Sequence, residues 1–143
     1  MKISDVMSGK PSQDVVTISP DSTVRDLLSV LTQHNIGAVI VSDDGRSVHG
    51  IVSERDVVRK LDGDDSVLDA PVRQIMTAAV HTCERSHDLD ELMALMTEHR
   101  IRHVPVVEEG RLVGVVSIGD VVKSRITQLT FERDQLDSYV HQT

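Results

Sequence analysis

Aromatic residues are almost missing from this chain of 143 residues. It has no Trp, and Phe131 and Tyr139, both near the C-terminus, are its only Phe and Tyr. That leaves no platform on which single-stranded bases could stack, so a flat ligand has to be gripped by aliphatic side chains. Cysteine is reduced to Cys83, which excludes an intrachain disulfide and any multi-cysteine zinc site. Positive charge is in short supply, with 15 Lys and Arg against 23 Asp and Glu. The resulting net charge of −8 argues against a nucleic-acid partner, because binding a phosphate backbone needs basic patches that release counterions. Long apolar runs are absent too. The opening MKISDVMSGK lacks the apolar stretch of a signal peptide, and no segment approaches the roughly 18 apolar residues of a membrane span. No membrane partner is expected, and the reducing cytoplasm is the expected location.

What is present is a composition of 39% hydrophobic and 27% charged residues, at a length suited to about one globular domain. Within it one sentence is written twice. GIVSERDVV from Gly50 and GVVSIGDVV from Gly114 are identical at six of nine positions. A shift of 65 also lays Val24, Leu27, Leu28 and Leu31 on Leu89, Leu92, Met93 and Met96, and both sets follow the i, i+3, i+4, i+7 spacing of an amphipathic helix. After each helix comes an apolar run that reads as a buried strand, HNIGAVIV from His34 and HRIRHVPV from His99. Turn signals follow at Asp43 to Gly45 and Glu108 to Gly110, then the strands VHGIVS and LVGVVS. One extra residue in the first hairpin changes the shift from 65 to 64. Each unit opens with a strand-like VVTI at Val15 or VHTC at Val80, preceded by DVM at Asp5 or QIM at Gln74.

The predicted fold is therefore α/β (α+β): two repeats related by a pseudo-twofold, each a small three-stranded sheet with helices. The repeats cover residues 1–61 and 72–125, a polar linker spans 62–71, and a helical extension runs over 126–143. A unit of this size cannot cover both faces of its sheet, so each copy must supply the other's missing core. In the extension, Ile126, Leu129, Leu136 and Val140 share one helical face. That stripe needs a partner, either a second copy in a homodimer or the chain's own body.

Ser53-x-x-Asp56 and Ser117-x-x-Asp120 each stand where a strand gives way to a helix. One reading is a helix cap, with Ser accepting an amide hydrogen bond and the acid favouring the positive helix end. The other is a ligand site, with the serine hydroxyl and free amides facing a phosphate and the carboxylate accepting two ribose hydroxyls. Both use the same helix end and both stay open. Weaker signals are the His99/His103 spacing, which fails as a helical metal pair because the helix should end near His99, and Cys83 beside His81 or His87. No carboxylate pair, triad or metal cluster offers a mechanism a starting point, so no enzymatic activity is expected.

The pattern G-hydrophobic-V-S/T-x-x-D, following a hairpin and a strand of the RHVPV kind, resembles the cystathionine β-synthase (CBS) domain. The pair, over about residues 1 to 125, resembles a stand-alone CBS pair. The resemblance implies a regulatory module that binds an adenosyl ligand between the repeats: AMP, ADP, ATP, NAD(H) or S-adenosylmethionine. It would signal energy or redox state to an unidentified regulated protein, as a homodimer meeting through its helices. The alternative is a dimeric scaffold with degenerate clefts. By the same resemblance Asp56 and Asp120 bind ribose, and Ser53 and Ser117 lie on the phosphate side. Adenine sits against Val16, Thr17, Ala38 and Val52 in one cleft and Val80, His81, His103 and Val116 in the other. Phosphates in related pairs are often met by basic residues of the opposite unit, which implies Arg102 for the Asp56 cleft and Arg55 for the Asp120 cleft. The matching positions, Gly37 and Gly119, carry no charge.

Overall fold

Thr23 ends an extended stretch and caps α2 (Val24–His34). Its hydroxyl accepts from the Asp26 amide at 3.1 Å, while the Asp26 carboxylate accepts from the Thr23 amide at 3.2 Å. This reciprocal pair satisfies two amides that helix geometry would otherwise leave near each other without partners. Asn35, in the left-handed region at φ 51°, ends the helix. The computed structural model, which describes residues 1–10 and 15–141, repeats the helix and its left-handed end in α4 (Leu89–His99), but there the N-terminal residue Asp88 makes no side-chain cap bond and the left-handed cap is Arg100 at φ 54°.

Around these helices the remaining elements follow in the expected order. They are α1 (Ile3–Ser8), β1 (Thr17–Ile18), β2 (Ala38–Val41), β3 (Gly50–Ser53), α3 (Glu54–Leu61), β4 (His103–Glu108), β5 (Arg111–Ser117) and α5 (Ile118–His141), with 3-10 turns at Asp65–Asp69 and Val72–Gln74. The first sheet has the order β1-β2-β3, with β1 parallel and β3 antiparallel to β2. The second has only β4 and β5, closed by a two-residue turn in which Glu109 and Gly110 both have positive φ. Its expected third strand, VHTC, is reduced to a single parallel bridge from Cys83 to Val106. In both repeats the first two residues of the leading segment, Val15 and Val16 or Val80 and His81, turn to a cleft, and pairing starts only beyond them.

Two apolar cores result, and each borrows from the other repeat. Ile3, Val6 and Met7 of α1 pack with Leu89, Leu92, Met96, Val104, Val106 and Val116 of the second repeat. In exchange, Val72 and Ile75, at the start of the second repeat, pack with Val24, Leu27, Val39 and Val52 of the first. Backbone bonds fasten both crossings: the Ile3 amide donates to the His87 carbonyl at 3.0 Å, and the Val72 amide to the Ser22 carbonyl at 2.7 Å. The exchange also accounts for the glycine that opens each repeated sentence. A Cβ on Gly50 would lie 2.8 Å from both the Met76 sulfur and the Thr77 carbonyl oxygen, and one on Gly114 would meet the Met7 methyl.

The extension expected from residue 126 is not a separate element, because α5 runs unbroken from Ile118 to His141; Gln142 and Thr143 of that expected extension lie outside the described residues. Arg125 ties its first half to α4 through a 3.0 Å bond to Asp90. From Leu129 onward every described residue is exposed, Leu136 at 66% and Val140 at 62%, so the apolar stripe does not fold back on its own chain. No helix among the described residues is long and apolar enough to cross a membrane.

Candidate functional site

The helix ends marked by the repeated Ser-x-x-Asp open on two clefts. At the first, the Ser53 amide and hydroxyl both donate to Asp56 Oδ2, at 2.8 and 3.1 Å, and the Asp56 amide returns a bond to Ser53 Oγ at 3.3 Å. At the second, the Ser117 amide donates to Asp120 Oδ2 at 2.9 Å and the Asp120 amide to Ser117 Oγ at 3.1 Å. The capping reading is thus satisfied at both ends. It uses only one carboxylate oxygen: Oδ1 of each aspartate has no hydrogen bond to a described residue. The next amide is also taken, Glu54 by the Gly37 carbonyl at 3.0 Å and Ile118 by the Arg102 carbonyl at 2.8 Å, which docks each helix onto the entry of a strand of its own repeat, β2 or β4.

Each cleft is built across the repeats. The Asp56 cleft, about 410 Å³, combines Ser53, Arg55 and Asp56 with Val80, His81, Arg102 and His103 of the second repeat. The Asp120 cleft, about 390 Å³, combines Ser117 and Asp120 with Val16, Gly37 and Ala38 of the first. Gly37, Ala38, Ile51 and His103 border both, forming the wall between them.

Three expected positions fall elsewhere. Val52 and Val116 are fully buried in the two cores, and their strand neighbours Ile51 and Val115 line the clefts instead. The cause is the pleat, which turns successive residues of a strand to opposite faces. Thr17 is held in β1 against Ile40 and borders neither cleft. The crossed arrangement of arginines is half present. Arg102 reaches the Asp56 cleft from the other repeat, but Arg55 lies on that same cleft rather than opposite Asp120, because it precedes Asp56 at the same helix end.

The cation beside Asp120 is Lys10. Its ammonium lies 3.1 Å from Asp120 Oδ2 and donates to the Val115 carbonyl at 2.6 Å. Lys10 stands outside the repeated segments, so self-similarity gave no sign of it. Burial pushes the Asp120 carboxyl up, but the Ser117 amide and Lys10 outweigh it and hold the group below its ordinary range. His103 is held below the ordinary imidazole value, mainly by burial and also by Arg102 and Lys10, against an opposing pull from Asp120. The Asp56 cleft adds Arg59, Arg100 and His99, none of them marked by the repeat. The His99 ring stacks on that of His81 with centroids 4.0 Å apart, as α4 ends at His99 and leaves His103 on β4. Cys83 is buried, and burial together with Glu108 pushes its thiol up to about 11, which keeps it protonated and unreactive.

Comparison with known proteins agrees with this architecture. The chain is 36% identical over 147 residues to the CBS domain-containing protein CBSX3, mitochondrial, of Arabidopsis thaliana, covering 96% of the chain and 71% of that protein. A crystal structure of a CBS-domain containing protein from Agrobacterium tumefaciens shares 43% identity with a TM-score of 0.82, over 87% of this chain and 99% of that one. The structure of CBSX2 in complex with AMP shares the fold, with 24% identity and a TM-score of 0.74 over 88% and 97% of the two chains. The CBS domain family matches residues 3–63 and again residues 72–126, so the doubled sentence is a pair of CBS domains and the chain belongs to that family.

Proposed function

We propose that this protein is a regulatory module that binds an adenosyl nucleotide in its inter-repeat clefts and passes that state to a partner protein, without turning the ligand over. One observation carries the reading. Each Ser-x-x-Asp helix end faces, across a cleft, the apolar leading segment of the other repeat, and each aspartate keeps one oxygen without a hydrogen bond to a described residue. An adenine can lie on the aliphatic wall while ribose hydroxyls donate to the free oxygen. The fold shared with CBSX2, a protein solved with AMP, is in keeping with such a ligand. Calorimetry of the intact chain against AMP, ADP, ATP, NADH and S-adenosylmethionine tests it. Asp56→Asn and Asp120→Asn should each weaken one site by about 1–3 kcal/mol, and unchanged affinity in the double variant rejects the assignment.

A second reading, a dimeric scaffold with degenerate clefts, draws on the Ser–Asp capping pairs being complete by themselves. Absence of binding across the whole panel would favour it. Under either reading we take the protein to be a cytoplasmic homodimer. Val58 on α3 and Val122, Ile126 and Leu129 on α5 are exposed apolar side chains on the last helix of each repeat, a surface suited to a second copy. Light scattering that gives a monomer at micromolar concentration defeats the dimer.

A further inference from the structure

The pseudo-twofold makes pairs of cleft positions equivalent, and four of these pairs differ in the same direction. Val16 corresponds to His81, Asn35 to Arg100 and Gly37 to Arg102 at a shift of 65, and Gly119 corresponds to Arg55 at a shift of 64. In every pair the basic residue lines the Asp56 cleft, whereas of the uncharged ones Val16 and Asn35 line the Asp120 cleft, Gly37 borders both clefts, and Gly119, beside Asp120 in sequence, lines neither. Arg59, one turn further along α3, brings the guanidinium groups on the Asp56 cleft to four, against Glu54 and Asp56 as its acids. On the Asp120 cleft Lys10 is the one Lys or Arg among the described lining residues, and it is already paired with Asp120 and with the Val115 carbonyl. The Pro11 to Asp14 segment that follows it in sequence contains no basic residue.

Resting on the adenosyl reading above, we propose that the two clefts sort ligands by charge. The Asp56 cleft takes a nucleoside polyphosphate, and the Asp120 cleft takes an adenosyl compound with little or no negative charge. Four guanidinium groups around one opening repel one another when nothing lies between them, and a polyphosphate chain relieves that repulsion while offering oxygens in pairs to planar forks. In a chain of net charge −8, four of the 15 Lys and Arg residues line this cleft, a local excess of positive charge that draws an anion. In the Asp120 cleft the balance is reversed. A phosphate entering there either takes Lys10 from Asp120 and leaves the carboxylate uncompensated, or lies beside a carboxylate whose charge is already neutralised by its own lysine. A neutral or cationic adenosyl group avoids both costs, because it needs only the free carboxylate oxygen and the aliphatic wall of Val15, Val16 and Ala38.

The test is calorimetric titration of the intact chain with ATP and with 5′-methylthioadenosine, separately and in competition. The two ligands should bind together without displacing one another, and added salt should weaken only ATP. Arg55→Ala and Arg102→Ala should each lower the preference for ATP over methylthioadenosine by about tenfold or more. Gly119→Arg, which places a guanidinium on the Asp120 side where a new Cβ meets only Ser117 Oγ at 3.7 Å, should move that cleft toward ATP. Mutual displacement, or a preference unchanged in both arginine variants, overturns the sorting while leaving adenosyl binding intact. Failure of the unaltered chain to bind either compound removes the adenosyl reading, and the sorting with it.

Discussion

The Asp56 and Asp120 clefts are written in the same words and furnished differently. Both have a reciprocal Ser–Asp cap, a borrowed apolar wall and a volume near 400 Å³. One is ringed by arginines contributed by both repeats, while the other has, among its described lining residues, a single lysine already committed to its aspartate. The backbone plan that duplication copies is thus separable from the charges laid on it. Capping, pleat and core exchange recur because the fold needs them twice, whereas residues that face only the cleft are free to diverge.

The largest effects are expected where the repeats trade core. Ile3 is fully buried, yet its partners are residues of the second repeat. Ile3→Ala should cost about 2–5 kcal/mol by cavity formation, measured as a fall in the urea midpoint. If the loss stays below about 1 kcal/mol, α1 is not holding the second core together. The glycines offer a sharper contrast. Gly50→Ala drives a methyl toward a backbone carbonyl oxygen at 2.8 Å, whereas Gly114→Ala meets only the flexible end of Met7. The first should cost about 1–3 kcal/mol and the second clearly less, although the two residues open the same repeated sentence. Equal losses in thermal melts would show that the two crossings are packed alike.

Those crossings mark the limit of what the sequence discloses. The long helices were legible because Val24, Leu27 and Leu31, and their counterparts Leu89, Leu92 and Met96, keep helical spacing and are all buried. The hairpins were legible from their turn residues, and the pair of domains from the repeated sentence. The partner of α1 was not, since a short apolar helix reads the same whether it packs on its own repeat or on the other. Cleft lining was legible at the helix ends, where Ser and Asp are constrained by the cap. It failed by one residue in the strands, at Val52 and Val116, because resemblance marks positions along a strand while the pleat alone decides which face they take. Arg55 falls on the cleft of its own repeat's aspartate for a related reason: the cleft a side chain faces depends on its position around the helix, not on which repeat carries it.

A smaller effect is expected at the ends of α2 and α4. Asn35 and Arg100 occupy equivalent left-handed caps, at φ 51° and 54°. Asn tolerates that region better than Arg, so the second repeat carries strain that the first avoids. Because Arg100 lines the Asp56 cleft, the strain stands where charge is concentrated. Arg100→Asn should raise stability by roughly 0.5–1 kcal/mol in chemical denaturation while weakening ATP binding. A variant that gains no stability would mean that Arg100 has compensating contacts, and one that binds ATP unchanged would place its side chain away from the phosphates.

The smallest effect concerns protons on the wall between the clefts. The His103 imidazole is held below its ordinary value of 6.5, first by burial, then by Arg102 and Lys10, with Asp120 and Glu54 pulling the other way. Between the lowered native value and 6.5 the unfolded chain binds a proton that the native chain refuses, so stability is complete above about pH 6.5 and falls as the pH drops below it. Replacing the ring with an uncharged amide, His103→Asn, should flatten thermal midpoints over that interval, and an equally steep fall in the variant would assign the titration to another group. Asp120 acts with the same sign further down. Its carboxyl is also lowered, so its contribution is present above 3.8 and is lost as the pH falls through the native value. Lys10→Met removes one of the two influences that outweigh burial there, and should shrink this acid-side loss, whereas the same substitution has no counterpart at Asp56, where no lysine is paired. A loss of unchanged size in Lys10→Met would leave Ser117 as the support of the Asp120 charge, and would bring the second aspartate closer to the first, whose carboxylate is held by Ser53 without a lysine.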